Sequence, residues 1–198
     1  MRRLANVILK LVGWRMVGKT PRPQCLLIGA PHTSNWDFCL ALLAFWSLEI
    51  DCHWLGKHTI FRRPFGGIMR RLGGIPLNRS TSHDFVPEVV GWFEKDPGLT
   101  LCIAPEGTRS RRDCWRSGFY WIAYGARVPI ALGFFDYERR VGGIGEAIVP
   151  TGDIEADMEK IRAFYSKIRG RHPENMSPIR VQSRGDGVHP RSDGAPAG

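Results

Sequence analysis

One short segment of the chain combines a basic and an acidic side chain at a spacing suited to proton transfer. His32 and Asp37 lie in the segment PHTSNWD, residues 31–37, between two apolar runs. On a regular helix they would be about 140° apart, so they can meet only if His32 precedes the helix and Asp37 lies in its first turn. Asp37 would then accept a hydrogen bond from one ring nitrogen of His32, and the other nitrogen could take a proton from a hydroxyl or an amine.

The same segment also has a purely structural interpretation. Ser34 followed three positions later by Asp37 is a capping-box pattern in front of an apolar helix. The carboxylate could therefore serve only to begin that helix. The spacing alone leaves both interpretations open.

A second polar turn, Glu106-Gly107-Thr108-Arg109, follows another apolar run. Gly107 permits the positive φ that a tight turn requires. Arg109 offers a planar fork for phosphate, and Glu106 could hold that guanidinium or a substrate hydroxyl. Taken in isolation, the turn fits a surface ion pair equally well.

A third candidate lies at the end of the segment GGIPLNR, residues 73–79. It consists of a glycine pair, a short apolar strand and then Arg79, which could bind phosphate. A lone arginine at this position is also typical of an ordinary surface charge.

The elements that must position these side chains alternate between strands and helices. This alternation predicts an α/β fold, a single layered domain with a mixed, largely parallel sheet flanked by helices. The predicted strands are approximately residues 25–30, 52–55, 75–77, 99–104 and 128–135, and the predicted helices are residues 34–50, 61–72, 84–95, 117–126 and 153–168.

The N-terminal residues 2–17 fit a basic amphipathic helix with Trp14 at the border of its apolar side. Such a helix can lie in a membrane interface or pack on its own domain, and the pattern fits both. We therefore divide the chain into an N-terminal helix (1–20), a main domain (21–170) and a C-terminal tail (171–198) that is rich in Pro, Gly, Ser and Arg and predicted to be largely disordered.

The charge of the chain favours anionic partners. Its 198 residues carry a net charge of +9, which suits phosphorylated substrates, an acidic membrane surface or nucleic acid. No recognised nucleic-acid motif is present, so nucleic acid is not the expected partner. The five cysteines are widely spaced and lack a CxxC pair, which argues against a zinc site and for a reducing cytoplasm.

Four blocks, in this order, resemble the glycerolipid acyltransferase family, which includes the lysophosphatidic acid (1-acylglycerol-3-phosphate) acyltransferases. They cover roughly residues 28–135. The blocks are His32-x4-Asp37, Gly74-Ile75-x3-Arg79, Glu106-Gly107-Thr108-Arg109 and Val128-Pro129-Ile130.

The resemblance implies transfer of a fatty acyl group from acyl-CoA or acyl-carrier protein to a glycerolipid hydroxyl. His32 would be the general base and Asp37 its orienting partner, without a metal, a cofactor or a covalent acyl-enzyme. The acceptor would be bound by Arg79, Glu106, Gly107, Thr108 and Arg109, and the fourth block would shape the donor site.

The expected setting is the cytoplasmic side of the cell membrane, with the protein peripherally bound to its anionic surface. No apolar run reaches the roughly 20 residues that a spanning helix needs, and no signal-peptide pattern is evident. The fourth block lacks the second proline usual for lysophosphatidate enzymes. An amine, a lyso-ornithine lipid or another small-molecule acceptor is therefore the alternative, and a non-catalytic membrane-binding protein is a third hypothesis.

Overall fold

A mixed sheet of seven strands forms the centre of the computed structural model, which describes residues 1–77 and 85–181. Along the sheet the strand order is β1-β7-β6-β2-β5-β3-β4. The strands are β1 (Arg15–Val17), β2 (Cys25–Gly29), β3 (His53–Lys57), β4 (Gly74–Leu77), β5 (Thr100–Ile103), β6 (Ile130–Asp136) and β7 (Val141–Ile148).

Five neighbouring strands of this sheet, β2 to β6, run parallel to one another. Strand β7 pairs antiparallel with β6, and β1 pairs parallel with β7. In register, Ile28 of β2 lies between Ile103 of β5 and Leu132 of β6. The carboxyl ends of these three strands therefore meet at one edge of the sheet. The predicted fold class is confirmed.

Six α-helices accompany the sheet in the described residues, and two short 3₁₀ helices cover His58–Phe61 and Pro173–Asn175. The helices predicted over residues 34–50, 84–95, 117–126 and 153–168 are present within a few residues of these bounds. The α-helices are α1 (Arg2–Leu11), α2 (Trp36–Leu48), α3 (Gly66–Arg71), α4 (Phe85–Lys95), α5 (Gly118–Ala126) and α6 (Ile154–Tyr165).

Strand β2 shows how the sheet separates two apolar layers. Leu26 and Ile28 belong to one buried cluster, which includes residues of α4, α5 and α6. Cys25 and Leu27, at the alternate positions, belong to a second cluster with Phe45 of α2. Because successive side chains of a strand point to opposite faces, one apolar run supplies both layers.

Helix α1 packs on α2 through one narrow face. Ala5 and Leu9 are its buried residues, and Asn6 accepts a 2.6 Å hydrogen bond from the Ser47 hydroxyl of α2. The remaining apolar side chains of α1 do not share this face. The helix thus docks on its own domain and still leaves apolar surface in solvent.

The predicted N-terminal helix is too long, because α1 ends at Leu11 and not at residue 17. Gly13 adopts a positive φ of 74°, and the Trp14 N–H bonds back to the Leu9 carbonyl at 2.8 Å. A glycine in this conformation commonly ends a helix. The chain then extends into β1, which joins the edge of the sheet.

The predicted helix over residues 61–72 is also wrong in its first half. A 3₁₀ helix ends at Phe61, and α3 begins only at Gly66. Pro64 lies between them and cannot donate the backbone hydrogen bond that a helix interior requires. Only the second half of the apolar pattern is helical.

Strands β1 and β7 were not predicted. The sequence of β7, VGGIGEAI, contains three glycines, which are depleted in strands. At least one of these glycines is needed because β1 lies very close to β7. A Cβ atom at Gly143, whose φ is 138°, would lie 2.0 Å from the Val17 carbonyl oxygen of β1.

The part of the predicted C-terminal tail that the structure describes packs on the domain. Residues 171–181 include the 3₁₀ helix, and Val181 forms a β-bridge with Trp115. The last residues of the chain, 182–198, lie outside the described residues. Among the described residues, none of the helices has both the length and the apolar character needed to cross a membrane.

Candidate active site

Three polar residues from distant parts of the sequence meet at the carboxyl-end edge of the parallel strands. His32 follows β2, Glu106 follows β5 and Tyr137 follows β6. These strands are neighbours in the sheet, and open α/β sheets bind their ligands beyond such strand ends. The fold therefore places the candidate residues where a site is expected.

The His32–Asp37 pair has the geometry that the proton-transfer hypothesis requires. His32 lies in the loop between β2 and α2, and Asp37 lies in the first turn of α2. The His32 Nδ1 atom is 3.2 Å from Asp37 Oδ2, with the imidazole 27% exposed and the carboxylate side chain 5% exposed. Because the carboxylate accepts a hydrogen from Nδ1, the neutral ring presents Nε2 as a free acceptor.

Asp37 also satisfies the backbone at the start of α2. Its Oδ2 atom accepts hydrogen bonds from the N–H groups of Thr33 at 2.9 Å and Ser34 at 2.8 Å. The Trp36 N–H in turn donates to the Ser34 hydroxyl at 3.2 Å. The two interpretations of this segment are compatible, since one carboxylate both caps the helix start and holds the imidazole.

Tyr137 completes the environment of this carboxylate. Its hydroxyl donates a 2.6 Å hydrogen bond to Asp37 Oδ1. Burial raises the pKa of Asp37, but hydrogen bonds from His32, Tyr137 and Ser34 outweigh burial and lower it below its ordinary value. The carboxylate consequently stays ionised beside the imidazole.

Glu106 is buried directly under the His32 loop. It is 3% exposed, and its Oε1 atom accepts a 3.0 Å hydrogen bond from the His32 N–H. The other oxygen, Oε2, is buried and has no hydrogen-bond partner in the described part of the chain. Burial and the nearby Asp37 charge raise the pKa of Glu106 to about 7, against the opposing effect of the His32 N–H.

The alternative interpretation of this turn as a surface ion pair does not hold for Glu106, because the carboxyl is buried. Glu106 forms no ion pair with Arg109 among the residues described, so it does not hold that guanidinium.

The rest of the second polar turn is tightly folded. Gly107 has the positive φ, 67°, that the sequence predicted. Thr108 Oγ1 accepts a 3.3 Å hydrogen bond from the Ser110 N–H, so this side chain has a local structural role. Arg109 reaches an open cleft beside the His32 loop. Arg79 lies outside the described residues.

The cleft has a volume of about 450 Å³ and is rich in polar groups. Its walls come from the His32 loop, the second polar turn and a C-terminal segment. The lining residues are Thr33, Ser34, Asn35, Trp36, Arg109, Ser110, Arg171, His172 and Asn175.

Sequence reasoning missed Tyr137 and the C-terminal residues Arg171 and His172. Tyr137 ends an aromatic-rich segment, FFDY, and carries no local motif. The usable signal is topological, because the residue after β6 meets the residues after β2 and β5 if the three strands are neighbours. Arg171 follows the last helix, and no strand order places it.

Comparison with known proteins identifies one family. The family described as Acyltransferase matches residues 15–150 of the chain. That range contains His32, Asp37, Glu106, Arg109 and Tyr137, and it ends before Arg171. No curated protein sequence matches the chain.

Tyr137→Phe should raise the pKa of Asp37, because it removes a donor that stabilises the ionised carboxylate. Hydrogen bonds to charged groups contribute about 1.5–3 kcal/mol, so the variant should be less stable than the wild type by that amount at pH 7. An Asp whose folded pKa is lowered stabilises the fold above its ordinary pKa, 3.8, and this contribution disappears as the pH falls through the folded pKa. Carboxyl NMR titration and urea unfolding measure both effects.

The matched control for this prediction is Tyr124→Phe, at a tyrosine that is 40% exposed. It should leave the Asp37 titration unchanged. An unaltered Asp37 pKa in Tyr137→Phe would show that the hydroxyl does not stabilise the carboxylate.

Glu106→Gln should stabilise the protein at alkaline pH and not at acidic pH. The folded pKa of about 7 lies above the ordinary 4.5, so ionisation of Glu106 costs stability. That cost is absent below pH 4.5, grows between pH 4.5 and 7 and is constant above, at about 3 kcal/mol. Glutamine keeps an acceptor for the His32 N–H.

Urea unfolding of wild type and variant across pH 4–8 tests this prediction. Glu146→Gln, at an exposed position of β7, is the control and should show no comparable trend. A stability difference that does not vary with pH would contradict the raised pKa of Glu106.

Proposed function

Because the chain belongs to the acyltransferase family, the glycerolipid acyltransferases that include the lysophosphatidic acid acyltransferases, we propose that it transfers a fatty acyl group from an acyl thioester to a lysophospholipid-type hydroxyl. The family membership supports acyl transfer in general. The observation that carries the finer proposal is the His32–Asp37 pair at 3.2 Å, whose imidazole is 27% exposed.

In the proposed reaction, His32 Nε2 takes the proton of the acceptor hydroxyl as its oxygen attacks the thioester carbonyl carbon. The carbon–sulfur bond then breaks, and the departing thiolate receives the proton from the imidazolium. Asp37 stabilises the imidazolium and fixes its orientation. A positioned base contributes about 10²–10⁴-fold to such a step, and no covalent acyl-enzyme is required.

We assign acceptor binding to the second polar turn. Glu106 Oε2 is a buried acceptor without a partner among the described residues, so a glycerol hydroxyl could satisfy it. Arg109, which lines the adjacent cleft, suits a phosphate group. Gly107, Thr108 and Arg79 remain proposed members of this site from the family resemblance, and no cofactor beyond the thioester co-substrate is proposed.

We further propose that α1 binds the anionic surface of a membrane, on the cytoplasmic side. Leu4, Val7 and Leu11 are 57%, 54% and 81% exposed and form one stripe, about 150° from the face that packs on α2. The helix has no acidic residue in its first turn and Lys10 in its last. A basic helix with an exposed apolar stripe is typical of interfacial binding.

His32→Ala should lower the turnover rate of acyl transfer by about 10²–10⁴-fold, because it removes the base. The assay combines acyl-CoA and acyl-carrier protein as donors with lysophosphatidate, other lysolipids, lyso-ornithine lipid and small amines as acceptors, with products identified by mass spectrometry. His58→Ala, at an exposed histidine of the first 3₁₀ helix, is the matched control and should retain activity.

Each outcome of that assay decides between the hypotheses. Unchanged turnover in His32→Ala would remove the base assignment. Activity confined to amines or lyso-ornithine lipid would replace the lysophospholipid acceptor by the alternative. Lipid binding by a wild-type protein that acylates nothing in the panel would favour a binding protein.

Replacing Val7 and Leu11 by Gln should weaken vesicle binding more than tenfold. Burial of each apolar side chain contributes about 1.5–3 kcal/mol, and the double variant removes two. Co-sedimentation with vesicles containing phosphatidylglycerol measures the effect. Val149→Gln, at a valine that is 71% exposed on the domain, is the control, and equal binding by both variants would rule out α1 as the membrane contact.

A further inference from the structure

A C-terminal segment, residues 169–175, lies against the His32 loop although it follows the residues that match the family. The Tyr137 N–H donates to the Arg169 carbonyl at 2.9 Å, and the His172 N–H donates to Thr33 Oγ1 at 3.2 Å. A Cβ atom at Gly170 would lie 2.9 Å from Thr33 Oγ1 and 3.1 Å from Pro31 Cγ. The absence of a side chain at Gly170 therefore allows this close approach.

This close packing of the C-terminal segment places Arg171 at the cleft and restricts its side chain. The central carbon of its guanidinium lies 5.6 Å from the centre of the Trp36 ring, and the backbone on either side of Arg171 is held, because Arg169 accepts from the Tyr137 N–H and His172 donates to Thr33. The contact with the Trp36 ring and the bonded backbone on either side restrict the long side chain. An arginine fork that is already oriented loses less entropy when it binds an oxyanion.

The charges around the cleft suit a dianion. Arg109 and Arg171 both line it, and among the described residues neither forms an ion pair with a carboxylate. Three acidic groups of this region have other partners: Asp37 is buried and bonded to His32, Glu106 is buried and accepts from the His32 N–H, and Glu174 lies 3.4 Å from His172 Nδ1. The remaining walls carry hydroxyl and amide groups, which also bind phosphate oxygens.

We propose that Arg171, together with Arg109, forms a two-arginine clamp for a phosphate ester of one substrate, and that Arg171 thereby sets substrate specificity. This inference rests on the proposed function, because it deepens the description of the same site. A phosphate held in the cleft would lie beside the loop that carries His32. The ester could belong to the acyl acceptor or to the donor, since lysophosphatidate and CoA both carry phosphate.

Binding measured in a His32→Ala background separates the clamp from catalysis. The probes are hexanoyl-lysophosphatidate against monohexanoylglycerol, which differ only in phosphate, and CoA against pantetheine, which lacks both the phosphates and the adenosine of CoA. Adding Arg171→Ala should weaken binding of at least one phosphate-bearing probe by about tenfold or more, the effect of losing a charge-assisted hydrogen bond. Isothermal titration calorimetry reports the dissociation constants.

Two further variants make the result specific to the fork of Arg171. Arg171→Lys keeps the charge but loses the planar fork, so it should bind phosphate with intermediate strength. The same variant is used in place of Arg171→Ala if the alanine variant does not fold. Arg71→Ala is the control at an exposed arginine, because Arg71 precedes β4 and lies toward the opposite edge of the parallel strands. It should leave every dissociation constant unchanged.

The results show which substrate supplies the phosphate and whether the clamp exists. Weakened lysophosphatidate binding alone assigns the clamp to the acceptor, and weakened CoA binding alone assigns it to the donor. Equal weakening of the phosphate-free probes, or no weakening at all, overturns the clamp. If phosphate binding depends on Arg171 while the wild type transfers no acyl group, the proposed function fails and the clamp stands. If the wild type is active and phosphate binding does not depend on Arg171, the clamp fails and the proposed function stands.

Discussion

The buried carboxylate of Asp37 is the interaction on which the site depends. An ionised group away from water is costly unless it is fully hydrogen-bonded. Asp37 meets this requirement with donors from His32, Thr33, Ser34 and Tyr137. These donors come from the loop after β2 and from the end of β6, so satisfying one carboxylate fixes the loop, the start of α2 and the neighbouring strand end relative to one another.

Glu106 shows the opposite solution to the same problem a short distance away. It accepts a single backbone hydrogen bond, from His32, and its second oxygen has no partner among the described residues. Its pKa is therefore raised to about 7, whereas that of Asp37 is lowered. When the environments of two carboxyl groups separate their pKa values, the two groups commonly have different tasks. Here the Asp37 carboxyl is held ionised against the imidazole, and the Glu106 carboxyl takes up a proton near pH 7.

Features that depend on residues close together in the sequence could be predicted, and contacts between distant residues could not. The strands before His32 and Glu106 and the cap by Asp37 are encoded within a few residues, and they were predicted. Tyr137 lies 100 residues from Asp37, and its contact depends on strand order, which local patterns do not contain. Strand β7 was missed for a related reason: its glycines reduce strand propensity, and their use, the close approach of β1, is visible only once the strands are paired.

The segment around Arg171 extends this reasoning to specificity. The family match ends at residue 150, yet Gly170 brings the chain back against Pro31 and Thr33. The hydrogen bonds of Asp37 come from the loop after β2 and from Tyr137, and none of these bonds involves Arg171. Arg171 lines the same cleft as Arg109. A change at Gly170 or Arg171 could therefore alter which anion fits beside His32 without touching the hydrogen bonds of Asp37 to its own loop. The proposed base and its partner lie within the range that matches the family, whereas the proposed clamp combines Arg109 from that range with Arg171, which lies outside it.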